Sequence, residues 1–201
     1  TPGFARGKNA MRRLLILAAL LPACCHLAWG DGVPPRNLTA IPLTPDPPTI
    51  DGELGDSCWQ GPRSSRLAYF VTPDGARLAA PQTEARVCFD EANLYVAVTC
   101  DEPKPSALKA EQAHRDDQVW QDDCVELFID TDPHAGTFYQ LVINSAGTVF
   151  DRGPEIGADW DANIHVQAQI GDASWQVECA IPFADFDAAP RPGDAWGFNV
   201  A

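Results

Sequence analysis

Seven residues, Cys124–Asp130 (CVELFID), restrict what this chain can fold into more than any others. Val125, Leu127 and Ile129 fall on one side of an extended backbone, and Cys124, Glu126, Phe128 and Asp130 on the other. A period of two is the mark of a strand with one buried face, and Val, Ile and Phe suit a pleated, half-buried surface.

The pattern recurs along the chain. Residues 85–89 and 94–100 flank a four-residue turn and predict a hairpin. In 137–144, Tyr139, Leu141 and Ile143 alternate with Phe138, Gln140, Val142 and Asn144, and a turn at 145–147 leads into 148–151. Residues 164–170 and 175–179 alternate on either side of a turn at 171–174, and 196–200 reads as a further strand. Weaker strand signals lie at 38–43 and 66–71. Residues 104–118 read as a polar loop with one helical turn around 107–113, and 153–162 as a loop carrying Trp160. Eighteen prolines and fifteen glycines punctuate these segments. The expected fold is all-β, an antiparallel β-sandwich of jelly-roll or immunoglobulin-like kind. The chain stops on a strand at Ala201, so the sandwich is expected to lack its last strand or strands and to be a fragment of a longer protein.

The beginning of the chain has another character. Met11 is followed by Arg12 and Arg13 and then by an apolar run over 14–23. That run is too short to span a bilayer and has the form of a secretory signal. Residues 1–10 read as translated upstream sequence, 11–30 as a signal peptide, 31–48 as a proline-rich linker with a first edge strand, and 49–201 as the sandwich. Ala28 and Gly30 place small residues where signal peptidase reads them, with cleavage before Asp31 and a secreted or periplasmic product. Leu21, Pro22, Ala23 and Cys24 resemble a bacterial lipobox, which would anchor the protein to the envelope through a lipid on Cys24. Pro22 fits that pattern poorly, which favours the soluble form.

The whole chain carries −14. Four of its 14 basic residues precede Asp31 and none of its 28 acids does, so the remainder carries −18. Such a balance excludes nucleic acid as a partner, because phosphates demand Lys and Arg. Beyond Cys24 and Cys25 the cysteines are Cys58, Cys88, Cys100, Cys124 and Cys179. Their odd number and scattered spacing give neither a metal knuckle nor a disulfide framework. Some are expected to pack as small hydrophobes.

Candidate chemistry collects beside the central strand. Trp120 precedes it, with Asp122 and Asp123 between. An indole can cover the apolar C–H face of a sugar ring while carboxylates accept hydrogen bonds from its hydroxyls. Asp122, Asp123, Asp130 and Asp132 also offer hard oxygens to a structural Ca²⁺, although no complete loop pattern is present and no other cofactor is implied.

Six segments, TIDGELGDSCW, ARVCFDEANLYVAVTCDEP, VWQDDCVELFID, YQLVINSAG, WQVECAIPF and WGFNV, stand in an order and spacing that resembles the family 9 carbohydrate-binding modules, over roughly residues 36–201. The resemblance implies a β-sandwich that binds mono- or disaccharide units of an oligo- or polysaccharide, accompanies glycoside hydrolases and can hold structural calcium. Trp120 falls on one plate of the family's aromatic clamp, and Glu126 on the strand glutamate that meets sugar hydroxyls. Gln140 and Asn144, sharing one face of the following strand, fall among its polar contacts. Two features depart from the pattern. No Lys or Arg occurs between Arg115 and Arg152, where some members place an arginine, and the second clamp tryptophan would lie beyond Ala201. Trp160 is a candidate substitute for it, while Trp59, Trp175 and Trp196 fall on packing positions.

The function expected is non-catalytic carbohydrate binding by an exported module. No pair of acids is singled out for glycoside hydrolysis, and no Ser/His/Asp or Cys/His signature appears. One alternative is a structural or adhesion sandwich whose sugar site has decayed. Another is a haem domain of related fold, with His114, His134 and His165 as its only axial candidates once Met11 is assigned to the leader.

Overall fold

The computed structural model describes residues 13–18, 37–132, 135–155, 157–186, 189–191 and 193–201. Cys24, the two signal-cleavage positions and His134 lie outside these. In chain order the described strands are β1 (Arg13–Ala18), β2 (Asn37–Pro42), β3 (Ser65–Leu67), β4 (Thr83–Phe89), β5 (Asn93–Asp101), β6 (Cys124–Asp130), β7 (Tyr139–Asn144), β8 (Val149–Arg152), β9 (His165–Ile170), β10 (Ser174–Pro182) and β11 (Ala195–Val200). They form a six-stranded sheet, β2-β1-β11-β6-β7-β8, and a five-stranded sheet, β3-β4-β5-β10-β9. Every pairing between neighbours is antiparallel except β1 with β11.

The period-two pattern sorts side chains as expected. Val125, Leu127 and Ile129 of β6 are buried, and so are Tyr139, Leu141 and Ile143 of β7. They meet Val87, Leu94, Val96, Val98, Val177 and Ile181 from the other sheet in one hydrophobic core. Burying such side chains contributes about 1.5–3 kcal/mol each. The antiparallel β-sandwich read from the sequence is therefore the fold.

Three local differences have physical reasons. Arg13–Ala18, within the stretch read as a leader, takes a strand position between β2 and β11; a run of Leu and Ile suits a strand as well as a leader's apolar region. The strand expected at 66–71 ends at Leu67, because Tyr69 turns into the left-handed region with φ 66°. The helical turn expected around 107–113 is only the 3-10 turn Pro105–Ala107.

The five-stranded sheet is covered on its outer side as well. Cys58 and Trp59 pack on Cys88, Tyr95 and Ala97, with Ile50 and Leu54 alongside. Burial on both faces explains why β5 is apolar almost without alternation. Under this cover sits Glu178, fully buried on β10. It accepts hydrogen bonds from Trp59 Nε1 at 2.8 Å and from the N–H groups of Asp51 and Gly52, both at 3.1 Å. Burial raises its pKa, and those three donors oppose the rise without cancelling it. Gly52 has φ +86°, so the tight turn that aims two N–H groups at one carboxylate needs glycine.

Candidate functional site

The outer face of the six-stranded sheet carries the residues singled out from the sequence. Trp120 lies in the 3-10 turn Val119–Gln121 just before β6. Val119 is fully buried and anchors the turn, whereas Trp120 remains 47% exposed. An indole left that open is worth explaining, since large aromatics usually bury. Its edge is braced against Phe150 of β8, with ring centroids 4.9 Å apart and an interplanar angle of 78°.

The turn is held in place by hydrogen bonds from the loop before it and the strand beside it. Asp122 accepts from the N–H of Gln112 at 2.9 Å and from Asn144 Nδ2 at 3.0 Å. Asp123 accepts from the N–H of Lys109 at 2.7 Å. Burial alone would raise the Asp122 pKa. The donors at Gln112, Asn144 and Glu111, with the ammonium of Lys109, outweigh it and hold this carboxyl below its ordinary value.

Glu126 and Gln140 come together as expected. Both are half-buried on the outer face, and Gln140 Nε2 donates to Glu126 Oε2 at 2.8 Å. One further oxygen of Glu126 and the amide oxygen of Gln140 remain as acceptors at this pair. Strand register extends the site. Phe128 stands opposite Gln140, and Gln140 opposite Arg152; in the next row Glu126 stands opposite Val142, and Val142 opposite Phe150. With strands about 4.8 Å apart, Glu126 and the Trp120–Phe150 pair are separated by about 10 Å, a span suited to a sugar ring or two.

Arg152 was not foreseen as a site residue. The sequence lacks an arginine on β7, yet β8 supplies an exposed one directly across from Gln140. Arg152 has no ion pair among the described residues, unlike Arg115, which is held by Asp151 at 2.5 Å and Asp161 at 2.6 Å. Only cross-strand register, which no single segment reveals, brings Arg152 and Phe150 to this face.

Three expectations are corrected. Asn144 shares its face with Gln140, but it is fully buried. Its amide donates to Asp122 and to Gln112 O, and its Oδ1 accepts from the N–H groups of Ala146 and Thr148. It fastens the Trp120 turn to β7 and is not exposed to a ligand. Trp160 does not stand in for a second clamp plate. It is 8% exposed within the core, against Tyr139 and Phe186, with Nε1 donating to Asp185 O. The four acids offered as a calcium set do not converge. Asp122 and Asp123 precede β6 while Asp130 ends it, some 23 Å away along an extended strand, and Asp130 accepts the N–H of Asp132 in a turn. Among the described residues no three His, Cys, Asp or Glu side chains form a group able to hold a metal ion.

Trp59, Trp175 and Trp196 are buried packing residues, as expected. His114 is exposed on the loop before the Trp120 turn, and His165 is exposed at the start of β9 in the other sheet.

The family described as "Carbohydrate family 9 binding domain-like" matches residues 50–201. The endo-1,4-beta-xylanase A of Thermotoga neapolitana is 25% identical over 154 residues, which is 76% of this chain and 14% of the xylanase. The chain thus spans about a seventh of that relative. Two solved structures of a family 9 carbohydrate-binding module from Caldicellulosiruptor kristjanssonii share the fold. The one in complex with cellotriose has a TM-score of 0.58 at 18% identity, over 77% of this chain and 71% of that one. The one with glucose has a TM-score of 0.57 at 17% identity, over 79% and 74%. With its sandwich and three-quarters of its length matched, the chain belongs to the carbohydrate family 9 binding-domain-like proteins, and the matched part is a binding module and not a catalytic domain.

Proposed function

We propose that the Trp120 face binds an oligo- or polysaccharide and so holds an exported enzyme or assembly near its polymer. The observation that carries this reading is a half-exposed indole, braced edge-on by Phe150, on the face that presents the Glu126–Gln140 pair. Trp120 would lie against the C–H face of a sugar ring. Glu126 would accept from hydroxyls, and Gln140 and Arg152 would fix the ring's orientation. Recognition through side chains alone calls for no cofactor, so chelators should leave the affinity unchanged. The xylanase relative supports a place beside a glycoside hydrolase acting on xylan, and the cellotriose and glucose complexes of the structural relatives support glucose units as ligands.

Export rests on the basic, then apolar, stretch after Met11. No described helix is long and apolar enough to cross a membrane. Mass analysis of the processed protein separates the two routes, both of which would remove β1 from the six-stranded sheet: an N-terminus at Asp31 means a free product and a lipid-modified Cys24 an anchored one. Affinity electrophoresis through soluble xylan and hydroxyethyl cellulose tests binding itself. The wild type should be retarded by at least one polymer and Glu126→Ala released. Equal mobility of both proteins in every polymer gel would remove this reading.

A further inference from the structure

The outer face of the five-stranded sheet is only partly covered. Trp59 and its neighbours close over Cys88, Tyr95 and Ala97, but the adjacent row, Glu84 on β4 opposite Thr99 on β5, stays half-exposed. Beside that row the chain after β3 folds back on itself through a bridge between Val71 and Leu78. Between this turn and the sheet opens a groove of about 590 Å³. Ligand clefts usually measure ~300–1,000 Å³. One wall is apolar, with Tyr69 72% exposed and Leu78 57% exposed. The floor is polar, formed by Arg66, Glu84, Thr99 and Asp101.

The wall is fixed in place without a ligand. Gln82 Nε2 donates to Phe70 O at 3.0 Å and also to Ala79 O, while the N–H of Ala79 reaches Phe70 O at 2.8 Å. Tyr69 has φ 66°, a backbone pose costly for an aromatic residue. Core packing does not offset that cost, because the side chain is mostly exposed and its described partner is Arg66 at the groove. A strained residue that presents a ring to the mouth of a groove is the pattern expected of a ligand contact.

The lining selects the ligand class. Arg66 is paired with Glu84 at 2.6 Å, and Glu84 also takes Arg86 at 2.8 Å. Arg66 and Arg86 together balance Glu84 and Asp101, so the groove carries no net charge to draw an anion or a cation. The floor is too polar for a lipid chain. A phenol ring beside hydroxyls and carboxylates suits a neutral polyhydroxyl ring.

We propose that this groove is a second saccharide site, for a neutral oligosaccharide, on the opposite side of the sandwich from Trp120. Outer faces look away from each other, so the two sites would hold two separate glycan chains. This site stands on its own lining and does not require the Trp120 face to bind.

The test is an NMR titration of the ¹⁵N-labelled full chain with cellohexaose and with xylohexaose, in the wild type, Trp120→Ala, Tyr69→Ala and Tyr69→Gly. Shifts at the amides of Thr83, Thr99 and Asp101 that persist in Trp120→Ala and vanish in both Tyr69 variants support the groove. Tyr69→Gly relieves the left-handed strain, so it should melt no lower than the wild type while losing those shifts, which separates a contact role from a structural one. No shift at these amides with either sugar, or shifts that Tyr69→Ala leaves intact, overturns the proposal. Shifts at Gln140 and Arg152 report the other face separately, so either reading can fail alone.

Discussion

At Asn144 four hydrogen bonds meet on one buried amide, two donated to Asp122 and Gln112 O and two accepted from the turn after β7. Truncation to alanine would leave a buried carboxylate oxygen, a carbonyl and two N–H groups short of partners. Each such group costs about 1–3 kcal/mol when water cannot replace the bond. Partial solvent access at the turn lowers the sum, and Asn144→Ala should lower the unfolding free energy by about 2–4 kcal/mol in urea denaturation. A loss under about 0.5 kcal/mol would contradict the role given to this residue. The sequence shows that Asn144 and Gln140 share a face, because parity depends only on spacing. It does not show that the Trp120 turn lies over one and not the other. For Trp160 even parity was missing, since a loop has no period to say which way a ring points.

Among the elements, β6 is the most legible and β11 depends most on its neighbour. β6 alternates cleanly because one of its faces meets the core and the other meets the site. On β11, Gly197 stands opposite Asp130 of β6, and a Cβ added there would lie 2.9 Å from the Asp130 Cβ. Real Cβ atoms do not approach so closely, so Gly197→Ala must push two strands apart. The expected cost is about 1–3 kcal/mol, the usual range for overpacking. Thermal melts of Gly197→Ala beside Gly193→Ala would test the steric part: Gly193 has open space around it but a φ of +99°, so its variant carries backbone strain alone. Equal melting temperatures for Gly197→Ala and the wild type would exclude the clash. Arg152 belongs to this scale too. Its sequence position gives no hint of Gln140, twelve residues earlier, until β7 and β8 pair.

In the molecule as a whole, two sheets enclose one core while carboxylates are buried at its margins. Asp151 is fully buried beside Arg115, and its N–H donor is Ala162 at 2.9 Å. Burial pushes its pKa up to about 6, against the opposing pull of Ala162 N–H and the Arg115 guanidinium. The folded protein therefore holds this proton more tightly than the unfolded chain does. The stability this one group contributes is fully present below the unfolded value near 4 and is lost as pH rises through about 6. Relative to Asp151→Asn, the wild type should lose about 2 kcal/mol between pH 4 and pH 7 in paired denaturant titrations. A difference that stays flat, or that grows in favour of the wild type, would contradict the shift. The sandwich was legible from its periods and turns. The second layer was not, because Trp59 and Glu178 meet across 119 residues and no local pattern joins them. The saccharide face holds the central claim, and calorimetric titration of the wild type and Trp120→Ala with cellotriose and xylotriose tests it most directly. Measurable binding that weakens at least about tenfold in the variant, ~1.4 kcal/mol, is the result expected. No heat with either sugar, or the same affinity in both proteins, would contradict it.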